Sequence, residues 1–162
     1  MALVATTWRC HGGHMWMDAK GSDVLSPPEC KRLLAVAAKD GLTGRLGVPT
    51  DRAPVITPVN FTFVDHQIVL RVGAGFIAGA AGGRLIAFEV DHVDSDGGVA
   101  WSVLVRGLAT LVEVPEVAQL ASAPRPSVPE PGAMVLTIRP DVVTGRRFAI
   151  RPRAARAMPP EL

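Results

Sequence analysis

From Arg45 onward, apolar and polar residues alternate with a period of two, broken by short clusters of turn residues. The pattern predicts strands at Arg45–Val48, Val55–Val64, Gln67–Val72, Arg84–Val90, Val99–Val114, Met134–Arg139 and Arg146–Ile150. Pro58 interrupts the second of these, which marks a bulge or an exposed edge. Thr50–Ala53, Asp65-His66 and the run from Asp94 to Gly98 read as turns. The strand from Val99 is too long to stay flat, and Gly107 is where a bend is expected.

One stretch has a different period. Ser26-Pro27-Pro28-Glu29 supplies a cap, a proline at the first helical position and a glutamate three residues after the cap. The helix it starts runs to about Asp40, with Cys30, Leu33, Leu34 and Ala37 on one face and Gly41 closing it. Pro115–Ala121 reads as one or two helical turns and Ser122–Gly132 as a proline-rich loop. Residues 1–24 show neither period and read as a leader, with Met15 and Met17 as alternative starts. Residues 25–150 form one domain, and 151–162 a basic tail expected to fray. Many short strands with brief helices predict a mainly β fold, an antiparallel barrel.

Composition narrows the function. At 162 residues, 48% apolar and 20% charged, the chain can bury a real core. A net charge of +2 gives no argument for a nucleic-acid partner. The only lysines are Lys20, Lys31 and Lys39, so an anion held by the second half must meet arginine or backbone N–H groups. There is no tyrosine to serve as acid or base. Two cysteines, Cys10 and Cys30, are too few for a disulfide framework and point to a cytoplasmic protein. No apolar run reaches the ~18 residues of a membrane span, and the N-terminus lacks the marks of a secretory signal.

The stretch Ile68–Gly79, IVLRVGAGFIAG, carries a literal G-x-G-x-x-A after a strand, with Glu89 and Asp91 further on. That is the outline of a dinucleotide-binding fingerprint. The reading fails on length. A βαβ crossover takes a dozen residues or more, and the space between Val72 and Arg84 holds two glycine-rich helical turns at most.

The ordered pieces LSPPECKRLL (25–34), GRLGV (44–48), PVNF (58–61), LRVGAG (70–75), AFEVD (87–91), WSVLVRG (101–107) and VTGRRF (143–148) support another reading. Together they resemble the pyridoxamine 5′-phosphate oxidase-like proteins, the FMN-binding split barrels. The resemblance implies a six-stranded antiparallel split barrel and a homodimer with cofactor sites at the protomer interface. It implies FMN as cofactor, with a deazaflavin coenzyme or heme as alternatives, and hydride transfer to an unidentified small molecule. Arg71 with Gly73 and Gly75 would hold the phosphate, with Phe76 next to them; Phe76 filling that end would instead favour a module that keeps the barrel without the cofactor. Pro58, Val59 and Asn60 would run along the ring, and Trp101 and Ser102 would reach the site. Relatives often carry Lys or Arg where this chain has Phe76, and Arg84 is the candidate substitute. A non-catalytic binding or sensor module on the same barrel is the alternative from another class.

Other signals have plainer readings. Cys10, His11 and His14 contain metal-ligand types, but no partner cluster completes a site. His66 and His92 are the only histidines placed to serve heme, and each reads as solvated. Glu89 and Asp91 share a strand face; paired carboxylates can do acid–base work, but the plainer reading is structural, a polar outer face or an arginine partner. Trp101 suits core, interface or cofactor edge. Arg146 and Arg147 point to opposite faces. No Ser–His–Asp set and no G-x-S-x-G occurs, so the catalytic residues stay unassigned.

Overall fold

The computed structural model describes residues 16–17, 22–112 and 134–150; for 16–17 it describes the backbone only. The chain runs β1 (Trp16–Met17), β2 (Asp23–Leu25), α1 (Pro27–Lys39), β3 (Gly44–Val48), β4 (Val55–Val59), β5 (Thr62–Val64) and β6 (Gln67–Val72). It continues with α2 (Phe76–Ala81), β7 (Leu85–Asp94), β8 (Val99–Val112) and β9 (Met134–Ala149). The Pro115–Ala121 helix, the loop after it, the C-terminal tail and the Cys10–His14 cluster lie outside the described residues.

All strands join one antiparallel sheet. Its main path is β1-β2-β9-β8-β7-β3-β4, and β6 pairs with both β5 and β9. β8 covers one edge of β9 along its whole length, from Val99↔Ala149 to Val112↔Val135. The other edge of β9 divides, with β6 on Met134–Ile138 and β2 on Gly145–Arg147. That divided edge is what splits the barrel. Seven strands lie on this path among the described residues, where six were expected, and β1 and β2 join it at the β9 edge.

The alternation seen in the sequence is the inside and outside of this sheet. Leu46 and Val48, Ile68 and Leu70, Phe88 and Val90, Val103 and Val105, and Leu136 and Ile138 fill one core. The helix α1 packs against β5, β8 and β9 and adds Cys30, Leu33, Leu34 and Ala37 to that core. Its start is fixed locally: the Glu29 carboxylate accepts from the Ser26 N–H at 2.9 Å and from the Ser26 hydroxyl at 2.6 Å.

The 134–150 region differs from expectation. Two strands were predicted there, and one 16-residue strand forms. The register slips between Arg106↔Val142 and Gly107↔Pro140, leaving Asp141 as the extra residue. Gly107 permits it, because a Cβ there would collide with the Arg139 carbonyl oxygen. The leader also differs, since β1 and β2 pair through backbone groups without a side-chain period. No helix among the described residues is long and apolar enough to cross a membrane.

Candidate functional site

Pro58 lies inside β4 rather than at a break, opposite Arg45 of β3. β4 pairs only with β3, so a residue without an N–H is tolerated on its free edge. The chain turns instead at Asn60–Phe61. Phe61 is buried and meets Phe88 edge-on, with ring centroids 4.8 Å apart. Val59 packs on the core beside it, and Gly44 faces Val59 in the register. A Cβ on Gly44 would strike the Phe88 ring, so this glycine sets how closely β3 approaches. The corner that presents Pro58, Val59 and Asn60 therefore depends on Gly44 and Phe88, two positions that sequence reasoning missed. Neither carries a local signal; the need appears only when β3 and β7 are paired.

Next to this corner runs β6. Thr62 faces Val69 across the β5–β6 pair, and Arg71 lies two residues further along β6. Arg71 is half-buried opposite Val135, and its Nε is buried without a hydrogen-bond partner. An unmet buried donor costs about 1–3 kcal/mol unless an acceptor arrives. The chain then passes Gly73, Ala74 and Gly75 into α2. A Cβ on Gly75 would meet nothing within 4 Å, which leaves the backbone open to an approaching anion.

The short helix α2 holds this turn in place. Ala78 and Ala81 are buried on its inner side, and Gly82 leaves room for Leu111. The Gly83 N–H donates to the Ala109 carbonyl at 2.8 Å and the Ala109 N–H to the Arg84 carbonyl at 2.9 Å. Phe76 stands on the outer side, 56% exposed.

Trp101 and Ser102 lie elsewhere. Trp101 pairs with His92 and Arg147, and its ring packs partly on the core with His92 6.1 Å away. Ser102 pairs with Asp91 and Arg146 on the opposite face. Adjacent strand residues point to opposite faces, so one pocket in a single chain cannot take both side chains. On β9, Arg71 sits opposite Val135 and Trp101 opposite Arg147, twelve positions along. At ~3.3 Å per residue that is roughly 40 Å of strand. Within one protomer Arg71, Gly73, Gly75 and Phe76 follow one another at the end of β6, the Pro58–Asn60 corner leads into β5, which pairs with β6, and Trp101 and Ser102 of β8 meet the other end of β9.

The acidic pair has its arginine. Arg45 Nη1 donates to Glu89 at 2.9 Å and also to Asp91 on the outer face of the sheet. Burial pushes the Glu89 carboxyl above the usual carboxylate range, against the pull of Arg45. His66 occupies the β5–β6 turn with φ of 62°, its ring 6.4 Å from Phe63. No group of three metal-ligand side chains occurs among the described residues.

The chain is thus a split antiparallel barrel in which Arg71 and an open glycine turn follow one another at the end of β6. A family profile described as pyridoxamine 5′-phosphate oxidase matches residues 26–147, and the chain belongs to that family. An uncharacterized protein of Mycobacterium tuberculosis is 34% identical over 131 residues, covering 76% of this chain and 84% of that one. The FAD binding protein of Mycobacterium smegmatis is similar in structure, with TM-score 0.63 and 31% identity over 77% of this chain and 98% of that one. A FAD and heme binding protein of the same species shares the fold at TM-score 0.62 and 17% identity, covering 82% of this chain and 76% of that one.

Proposed function

We propose that the protein is a cytoplasmic flavin-dependent oxidoreductase that works as a homodimer. The orphaned Arg71 Nε beside the Gly73–Gly75 turn carries the reading, because a phosphate oxygen is the acceptor that this donor lacks. The 31% identity to a FAD binding protein over most of both chains supports a flavin. Arg71 and the glycine turn would grip phosphate, and the backbone of Pro58–Asn60 would border the ring. FMN fits these residues, and the deazaflavin coenzyme shares the features they would recognise. A bound flavin supplies two-electron hydride chemistry that the side chains here do not. The chain's own contribution is binding, orientation and exclusion of water.

The homodimer draws support from the outer face of the sheet. One register row crosses it as Ile56, Gly47, Ala87, Arg106 and Val142. Ile56 is 70% exposed, and Leu85 in the neighbouring row is 69% exposed. These residues line an open apolar cavity of about 630 Å³. Apolar surface of this extent on a folded chain suits burial against a second copy. A second copy would also be needed to bring Trp101 or Ser102 to the Arg71 site.

The test is a titration of the apo-protein with FMN and with the deazaflavin coenzyme, beside Arg71→Ala. Micromolar or tighter binding that weakens at least tenfold in the variant is expected. If neither binds to an intact dimer, the oxidoreductase reading falls and a non-catalytic barrel remains.

A further inference from the structure

We infer that Arg106 and Asp141 form a reciprocal ion pair across the two-fold axis of the homodimer, each meeting the other residue on the second copy. The inference rests on the homodimer reading above and names the contact that selects the partner and sets its orientation.

The pair is marked by its position. Arg106 of β8 and Asp141 of β9 line the apolar cavity on the outer face of the sheet, among Gly47, Ile56, Leu85 and Val142. Among the described residues in that lining, these two alone carry charge. Both are exposed, and neither has an ion pair or hydrogen bond among the described residues. Arg45, in the neighbouring row, is already engaged with Glu89 and Asp91.

Asp141 reaches that face through the bulge. Neighbouring residues of a strand ordinarily point to opposite faces, yet Asp141 and Val142 line the same cavity. Asp141 is the residue without a counterpart, where Arg106↔Val142 gives way to Gly107↔Pro140. In regular pairing it would stand opposite Gly107, whose strand neighbours Val105 and Ala109 are buried in the core. The extra residue re-aims the carboxylate from the core side to the side that holds Arg106.

Charge then decides the occupant. A purely apolar partner would bury the guanidinium and the carboxylate unpaired, at the full cost of taking both from water. A wholly basic or wholly acidic partner would satisfy one of them and repel the other. A second copy turned about a two-fold axis answers both, because in an isologous contact residue i meets j and j meets i. With the axis at the β8–β9 seam, each Arg106 faces the Asp141 of the other copy. Ile56, Leu85 and Val142 supply the apolar area around the seam, and the ion pairs fix its register.

The experiment is analytical sedimentation of the wild type, Arg106→Glu, Asp141→Lys, the double variant and an equimolar mixture of the two single variants. The wild type should be a dimer. Each single variant sets like charges against each other across the axis and should self-associate at least tenfold more weakly. The mixture should regain the dimer, because each chain then carries the charge that the other lacks, and the double variant should regain it alone. A mixture that stays monomeric overturns the inference, whether or not the double variant recovers, since the pair then does not act between chains. A dimer that the single variants leave unchanged overturns it as well. In both cases the homodimer reading stands. A wild type that stays monomeric at high concentration, with and without flavin, overturns the homodimer reading itself and the contact with it.

Discussion

Arg71 and Trp101 are tied to the same strand but at opposite ends, facing Val135 and Arg147 of β9. If one cofactor touches both, it touches them on different protomers. In the proposed homodimer, mixing two weakened variants then has a definite outcome. Refolding Arg71→Ala together with Trp101→Ala in equal amounts makes half the dimers mixed. Each mixed dimer has one site with both residues intact. About a quarter of all sites should recover wild-type affinity for flavin, whereas neither variant alone has any site of that affinity. A mixture that binds no better than its components means that a single chain supplies the whole site.

Arg71 should also show opposing effects on binding and stability. Losing a charge-assisted contact of roughly 1.5–3 kcal/mol weakens flavin about tenfold to a hundredfold in Arg71→Ala. The same buried Nε has no partner in the free protein. Arg71→Met keeps the aliphatic stem and removes the unmet donor, so the apo-protein should gain about 1–2 kcal/mol in denaturant unfolding. A loss of stability instead would mean that the guanidinium is satisfied without ligand.

The two glycine contacts predict structural damage. Gly107→Ala drives a methyl group into the Arg139 carbonyl, a backbone atom that cannot rotate away. A loss of about 2–3 kcal/mol is expected, from overpacking plus the disturbed β8–β9 register. Gly44→Ala forces the Phe88 ring against Phe61 and should cost a similar amount. It should also weaken flavin binding, because the β4–β5 corner moves with Phe61. Unfolding curves and flavin titrations on both variants check this; unchanged affinity in a folded Gly44→Ala would separate the corner from the site.

These glycines also show where sequence reading stops. The helix α1 was legible because Ser26, Pro27 and Glu29 act within one turn of each other. So was the Asp65-His66 turn, whose two residues take positive φ of 49° and 62°. The bend at Gly107 was legible too, but its consequence was not. Pro140, Asp141 and Gly145 read locally as the end of a strand. The glycine that accommodates the slip belongs to β8, far away in sequence. The succession of Arg71, the glycine turn and a short helix at the end of β6 was legible from the order of motifs. That Trp101 and Ser102 of β8 meet the far end of β9 was not, since it depends on which end of a 16-residue strand each partner meets.

Two glutamates give the folded state opposite pH slopes. Hydrogen bonds from Ser26 hold the Glu29 carboxyl below its ordinary value. Its contribution is therefore present above the unfolded pKa and lost as pH falls through the folded one. Ser26→Ala should reduce that acid-side slope. Glu89 runs the other way. Burial and the neighbouring Asp91 raise its pKa, and Arg45, whose charge is shared with Asp91, only partly offsets them. The folded state then holds the Glu89 proton more firmly than the unfolded chain does. Stability should fall as pH rises from the ordinary carboxylate value through the raised one. Glu89→Gln should flatten that decline and match or exceed the wild type at neutral pH. With the pair this solvated, the gain is expected to stay below about 1 kcal/mol. Urea midpoints for both variants from pH 3.5 to 7.5 would show it; a Glu89→Gln protein clearly weaker at neutral pH would mean that the Arg45 bridge outweighs the burial.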